Sequence, residues 1–490
     1  MRLAKFVPRS PLMSLNAKLL NTKNKPQKSQ LRKKEKLQLA LLMFASLLVF
    51  FFKLDATLLT NWDEAWHAVI ARNMARTGDF ITPVYNGQIW FATAPLYLWL
   101  VASWFTVFGI TTLGVRIFSA LAAVGGVYLT YRIGKLLFSH TAGLFAGLVL
   151  TTTVQYLYRG RTGNLDTMLT FFVSLAVFAF LAARKDSRWY LITGASTALA
   201  FLTKGILGLL PMPLFLLVPR RYVTWSFVAF LLVFLPWHLV AYLRHGEGFF
   251  TYFFLKYMLS KANVPNPVSG TETFWYVTVL RHGLKLWFAA LPFALIIVLK
   301  DSMKKKNLWL PVLWAIGPFI MLTIARMRND WYLIPIYPGI ALLIGYFAAE
   351  IAATGKLKAL VTAGLIGIAA FNILWYRGSI FVPETVAAEA SLAQIARERT
   401  STDETILLDD NYLPVAAFYA DRKIVPLRYS REKESLVSDA LLREATGGAQ
   451  RKLVLTNTQT LDQLIEAFHG PTYERISERD DKLLIELRFE

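Results

Sequence analysis

The chain of 490 residues contains no cysteine. Disulfides, thiolate nucleophiles and cysteine-ligated metal centres are therefore excluded. Charge is scarce too: 17% of the residues are Asp, Glu, Lys or Arg, against 55% hydrophobic ones. A soluble protein of this length carries more charge, and the mean hydropathy is +0.43. No phosphate-cradling glycine loop is present. The paired Gly447-Gly448 follow a helical pattern and read as its end. The six histidines show no metal-ligand spacing. No small-residue cleavage site follows the first apolar run, LALLMFASLLVFFFKLD, so a removed signal peptide is not expected.

What is abundant is apolar sequence of membrane-spanning length. Candidate spans fall at 38–55, 114–136, 141–157, 166–183, 188–203, 205–218, 222–242, 285–300, 307–325, 331–350 and 355–376. The pattern reads as a polytopic α-helical membrane protein with about 11–13 transmembrane helices. The net charge of +21 does not point to nucleic acid, because residues 1–37 alone hold 11 Lys/Arg against one acid. Such a tail suits an anionic cytoplasmic membrane surface. With the N-terminus inside, Arg132/Lys135, Arg184/Lys185/Arg188, Arg220/Arg221, Lys300/Lys304/Lys305/Lys306 and Lys356/Lys358 all fall inside, as the positive-inside rule requires. That parity leaves residues 95–110 as a helix lying along the outer surface or dipping partly in. It places outer loops at 56–113 and 243–284, and the C-terminal part outside.

Residues 377–490 change character. ETILLDD, RKIVPL, RKLVLTN and KLLIELRF read as strands, with ESLVSDALLREA and LDQLIEAF as helices between them. A small extracytoplasmic α/β domain is expected there, preceded by a polar helical linker.

The first outer loop begins NWDEAWHAVIARNMARTGDF. Asn61 and Glu64 have capping-box spacing. Trp66, Val69, Ile70 and Met74 share one helical face, with Arg72, Asn73 and Arg76 on the polar side. Residues 62–77 therefore read as a short interfacial helix. Asp63 and Glu64 in its first turn either complement the helix dipole or carry chemistry. Asp166 poses the same choice, since it opens an apolar span beside Asn164. Arg159, Arg161, Lys204, Arg326 and Arg328 are cations on the side where the inside rule disfavours them. They serve either as solvated loop charges or as anion ligands, and Lys204 sits in a tight turn between apolar runs.

The run DEAWHAVIARNMARTGDFITPVYNGQ at 63–88 resembles the first outer loop of GT-C membrane glycosyltransferases that use polyprenyl-phosphate sugars. The lipid A aminoarabinose transferases and the protein O-mannosyltransferase relatives are the nearest in pattern. The resemblance continues in order through PLYLW at 95–99, Arg116, RGRTGNLD at 159–166, FLTKG at 201–205 and NDWYLIPIYP at 329–338, covering about 340 residues. It implies catalytic roles for Asp63, Glu64 and Asp166, with Asp63 and Asp166 as possible ligands of a divalent ion. It implies donor-phosphate binding by Lys204, Arg159, Arg161 and Arg328. His67, Tyr85, Lys256, Tyr257, Lys261, Tyr276 and Tyr332 follow as further substrate contacts. The chain departs from the aminoarabinose pattern at Thr93-Ala94-Pro95-Leu96, where those relatives commonly read Lys-Pro-Pro-Leu, so either another cation meets the phosphate or the donor sits differently. The expected partners are a polyprenyl-phosphate-linked sugar, membrane lipid and a glycan, lipid or protein acceptor, with no nucleic acid. A transporter or lipid flippase, and a non-catalytic envelope assembly protein, are the alternatives.

Overall fold

The computed structural model describes residues 11–60, 62–260, 274–302, 308–325, 327–355, 357–375, 377–378, 387–409, 413–427, 451–468 and 470–489. The elements that matter for the site are helices α1 (Pro11–Phe51), α2 (Asp63–Thr77), α3 (Leu96–Phe108), α4 (Thr112–Leu137), α5 (His140–Thr151), α6 (Val154–Arg161), α7 (Leu165–Ala182), α8 (Trp189–Lys204) and α9 (Arg220–His245). A two-residue hairpin, β1 (Val84–Tyr85) and β2 (Gln88–Ile89), joins α2 to α3.

Among the described residues, six helices are long and apolar enough to cross a membrane. A bent pair, Trp275–Leu284 with Leu286–Asp301, turns by 112° and adds a seventh if it is one span. Several expected spans take other forms. The run at 205–218 is two short 3-10 helices, Gly205–Leu209 and Met212–Leu217, broken at Pro211. The runs at 141–157 and 307–325 form helices of only 12 and 16 residues. The expected span at 331–350 is one of the six, and it opens as a 3-10 helix, Asp330–Ile336, that continues into the helix Tyr337–Ala352.

Helices α4, α5 and Tyr337–Ala352 form the centre of the bundle, with Val127, Val149, Ile340 and Ile344 in one buried cluster. Close crossing depends on small residues. A Cβ on Gly134 of α4 would lie 2.7 Å from the Gly143 Cα of α5.

The C-terminal part carries a five-stranded sheet in the order β4-β3-β5-β7-β6, formed by β3 (Thr405–Leu408), β4 (Lys423–Pro426), β5 (Arg451–Asn457), β6 (Thr472–Arg479) and β7 (Lys482–Arg488). β3 runs parallel to β4 and β5, whereas β7 is antiparallel to β5 and β6. Strand β6 was not expected; as a mostly exposed edge strand it lacks apolar alternation. The helix expected at ESLVSDALLREA and the Gly447-Gly448 pair lie outside the described residues.

One correction bears on function. Helix α2 is not a half-exposed interfacial helix: it is buried on its polar side as well. Its Ala65, Ala68 and Ile70 share a core with Ala393, Val415 and Tyr419 of the C-terminal domain. Arg72 donates to the carbonyls of Phe418 (2.7 Å) and Ala417 (3.0 Å) and pairs with Asp421 at 2.9 Å. Arg76 binds both oxygens of Asp421 at 2.7 Å each. The Asn86 side chain exchanges two hydrogen bonds with the backbone of Ile424. The Arg72 side of α2 is therefore covered by a folded domain, while Arg76 stays half in solvent.

Candidate active site

A polar cavity of about 710 Å³ opens at the start of α2 and is lined by residues from distant parts of the chain. Asp63, Glu64 and His67 come from α2, Arg159 from α6, Asp166 from α7 and Lys204 from the end of α8. Tyr257, Trp275, Arg328, Asp330, Trp331 and Tyr332 complete much of the rest.

The two adjacent acids differ sharply. Glu64 is 2% exposed. Its carboxylate accepts from Arg116 Nε (2.7 Å) and Nη2 (2.9 Å), from Thr60 N (2.7 Å) and Oγ1 (3.1 Å), and from Gly163 N (2.8 Å). Only glycine fits that last approach: a Cβ on Gly163 would lie 2.9 Å from the Tyr97 hydroxyl and 3.2 Å from Glu64 Cγ. Burial opposes charge on Glu64, but Arg116 and the two backbone N–H donors hold its carboxyl below the usual range. Arg116 also donates to the carbonyls of Leu54, Thr57 and Leu58, which fixes the entry to α2. Glu64 is thus a knot between the first loop, α4 and the loop before α7. Asn61, expected as the capping residue, lies outside the described residues; the side chain of Glu64 reaches back to the N–H of Thr60.

Asp63 is half-buried, and its carboxylate makes no hydrogen bond or ion pair among the described residues. Trp62 precedes it at φ 62°, ψ −118°, a conformation rarely adopted by bulky L-residues. Strain of this kind concentrates at functional sites. His67 lies four residues on, on the same face of the helix. Burial pushes its imidazole below the ordinary value, against the nearby Asp63 charge.

Asp166 does not cap α7. Asn164 does so, accepting from the N–H groups of Asp166 (3.0 Å) and Thr167 (3.3 Å). The Asp166 carboxylate is thereby left to pair with Lys204, and both side chains are largely buried. Lys204 is held at this point because α8 ends at Gly205, which has φ 58°. Its ammonium lies 5.2 Å from the Tyr332 ring centroid. An ammonium has three donors, so pairing with Asp166 leaves Lys204 further capacity toward the cavity.

Arg159 stacks on Trp331 at 4.7 Å and approaches Asp330 Oδ1 at 3.6 Å. Burial opposes its charge; Asp330, Asp166 and Asp63 together hold its pKa above the ordinary value. Arg328 lines the same cavity and donates to the Thr323 carbonyl at 3.3 Å.

Other expected residues lie elsewhere. Arg161 is absent from the cavity wall. It turns to the end of α1 and donates to the carbonyls of Val49 (2.7 Å) and Phe52 (2.7 Å), capping that helix. Tyr85 packs among Trp66 and Trp90 without lining the cavity, and burial pushes its hydroxyl up. Tyr276 sits behind the wall, bonded to Asn329 through its hydroxyl at 3.3 Å. Lys256 is exposed and stacks on Tyr252 at 5.4 Å. Lys261 and Arg326 lie outside the described residues. Asp330, with Gln155 donating to it at 3.1 Å, was not singled out from sequence, because an acid at the head of an apolar segment reads as an ordinary cap. Its neighbours Arg328 and Trp331 were the available signal.

Among the described residues no group of three or more His, Asp or Glu side chains is arranged to hold a metal ion. The expected pair fits a divalent ion poorly, since one member, Asp166, is already matched by an ammonium.

A second cavity of about 870 Å³ adjoins the first. Its walls are apolar: Leu207, Leu210, Leu214, Trp309, Leu313 and Met321 among others. Lys204, Tyr257, Met327 and Tyr332 line both cavities. A charged chamber and a greasy groove thus share a wall that carries a lysine.

Comparison with known proteins gives concordant findings. Residues 92–243 match the family model of dolichyl-phosphate-mannose-protein mannosyltransferases. An uncharacterized protein of Aquifex aeolicus strain VF5 is 29% identical over 63% of this chain and 63% of its own length. The undecaprenyl phosphate-alpha-4-amino-4-deoxy-L-arabinose arabinosyl transferase of Yersinia pestis strain Pestoides F is 24% identical over 67% of this chain. The chain spans 62% of that transferase's length. The fold matches ArnT from Cupriavidus metallidurans, solved bound to undecaprenyl phosphate, with a TM-score of 0.75 at 18% identity, covering 91% of this chain and 97% of ArnT. Residues 92–243 are thus similar to that mannosyltransferase family, the chain is similar to an arabinosyl transferase over part of its length, and its fold is that of ArnT.

Proposed function

We propose that the protein moves a sugar from a polyprenyl-phosphate carrier to a hydroxyl or phosphate group of a lipid, glycan or protein acceptor, on the extracytoplasmic side of the plasma membrane. The observation that carries this reading is the wall of Lys204, Tyr257 and Tyr332 that the apolar groove and the charged chamber share. The apolar groove suits a polyprenyl tail. The shared wall suits the phosphate, and the chamber suits the sugar.

In this arrangement Asp63 is the general base, since its carboxylate alone of the acids described above has no partner committed to it. It takes the acceptor proton as the acceptor oxygen attacks the anomeric carbon. The bond from that carbon to the phosphate oxygen breaks, and the electron pair leaves with the polyprenyl phosphate. Direct displacement inverts the anomeric configuration. Negative charge grows on the leaving phosphate, where Lys204 and Arg159 supply fixed positive charge inside a water-poor site. Asp166 orients Lys204, Asp330 orients Arg159, and Glu64 holds the loop that presents Asp63. The N-terminus lies in the cytoplasm and the C-terminal domain outside, as the charge parity of the loops supports.

The test is sugar transfer by the purified protein from a panel of polyprenyl-phosphate sugars, with and without chelator. We expect one donor class to be consumed, with release of polyprenyl phosphate and unchanged turnover under chelation. No turnover with any donor, from protein that is folded and binds carrier, would overturn the reading.

A further inference from the structure

Three polar atoms of residues that line the chamber make no hydrogen bond among the described residues: Trp66 Nε1, His67 Nδ1 and the Thr93 hydroxyl. All three residues line the cavity. His67 and Thr93 are 8% and 4% exposed, so neither is served by bulk solvent. Buried polar groups are normally paired, and leaving one unpaired is costly. Three on residues lining one chamber therefore point to a ligand that pairs with them.

Trp66 also belongs to an aromatic cluster. The Trp66 ring lies 4.8 Å from Trp90 and 6.2 Å from Trp62, centroid to centroid, and all three line the chamber. The rings are tilted by 42° and 47° to one another, and such an aromatic corner edged by hydrogen-bonding atoms matches a sugar ring, with its C–H face and its rim of hydroxyls. A polyprenyl chain would leave the three polar atoms unserved. A phosphate would seek the cations, which stand on α6, on α8 and at Arg328. These residues themselves carry no formal charge, because burial holds His67 toward its neutral form.

We infer that Trp66, His67, Trp90 and Thr93 form a subsite for an uncharged, hydroxyl-bearing sugar ring, set directly beside Asp63. The inference rests on the glycosyl-transfer reading and adds the chemistry of the sugar. The ring belongs to the donor or to a glycan acceptor, and the experiment separates the two.

The full chain in lipid nanodiscs is titrated with polyprenyl-phosphate hexose and with sugar-free polyprenyl phosphate, for wild type, Thr93→Val and Trp66→Phe. For a donor ring, wild type binds the sugar-bearing carrier more tightly. Each variant then loses about three- to tenfold for that carrier only, the value of one hydrogen bond. For an acceptor ring, the affinity for both carriers is unchanged, and the KM for a glycan acceptor rises by the same factor with kcat kept. An equal loss for both carriers, or no change in carrier affinity and acceptor KM alike, overturns the subsite. A carrier bearing a cationic amino sugar that binds more tightly than the hexose overturns it too. Wild type that binds neither carrier overturns the glycosyl-transfer reading itself, whereas wild type that transfers sugar while the variants match it overturns the subsite alone.

Discussion

Substituting Glu64 by Ala removes a carboxylate that is 2% exposed and leaves its partner Arg116, also 2% exposed, without a counter-charge. Breaking a buried pair by deleting one member costs about 3–5 kcal/mol. The N–H groups of Thr60 and Gly163 are orphaned as well. Glu64→Ala should therefore lower stability severely and take activity with it. Asp63→Asn is a different experiment one residue away. Its carboxylate has no partner among the described residues, and the helix-dipole contribution of an acid in a first turn is about 0.3–1 kcal/mol. Stability should barely move. Loss of the general base should still reduce transfer by about 10²- to 10⁴-fold. The assay pairs the intrinsic-fluorescence unfolding midpoint in detergent with initial rates of sugar transfer. If Asp63→Asn unfolds as easily as Glu64→Ala, the acid is a helix cap and the reasoning fails. If Asp63→Asn keeps its rate, the base is another group.

Further outcomes follow from the same contacts. Glu64 has a folded-state pKa below its ordinary 4.5, so its stabilisation is complete above that value and is lost as pH falls through the lower folded one. The unfolding midpoint should drop below about pH 4.5, and that drop should be much reduced in Glu64→Gln. Lys204→Gln strands the buried Asp166 carboxylate and should destabilise by about 3–5 kcal/mol; the double variant with Asp166→Asn should recover stability without recovering carrier affinity. Asp421→Asn releases Arg72, whose pKa burial has already brought down to about 10. It should raise amide exchange in α2 and lower kcat, although Asp421 does not line the cavity. Arg161→Ala should loosen the end of α1, seen as faster exchange around residues 49–53, while affinity for polyprenyl phosphate stays unchanged.

How much of this could be read from the sequence depends on what each residue's role rests on. Lys204 and Asp166 were legible because an ionisable group at the end of an apolar run has few structural excuses. The division of labour between Asp63 and Glu64 was not, since it is set by Arg116 and Gly163, which lie 52 and 99 positions from Glu64. Arg161 misled because local sequence shows a cation on an outer loop but not the carbonyls at the end of α1 that it caps. The Arg72 side of α2 looked solvated because its cover, the segment around Asp421, lies about 345 residues further along the chain. Strands β3, β5 and β7 announced themselves by dense apolar runs, whereas β6 at the sheet edge did not. The count of long helices differs from the count of apolar runs because Pro211 breaks the run at 205–218, and because the runs at 141–157 and 307–325 form helices of only 12 and 16 residues.

The most direct test of the central claim is to locate the carrier. A polyprenyl-phosphate sugar bearing a photoreactive group near the head of its tail is crosslinked to the full chain in nanodiscs, and the adducts are mapped by mass spectrometry. The account predicts labels on the groove beside the shared wall, within 204–217 and 309–322, that compete away with unlabelled carrier and persist in Asp63→Asn. Competable labels confined to helix faces remote from Lys204, with none in those two stretches, would contradict it.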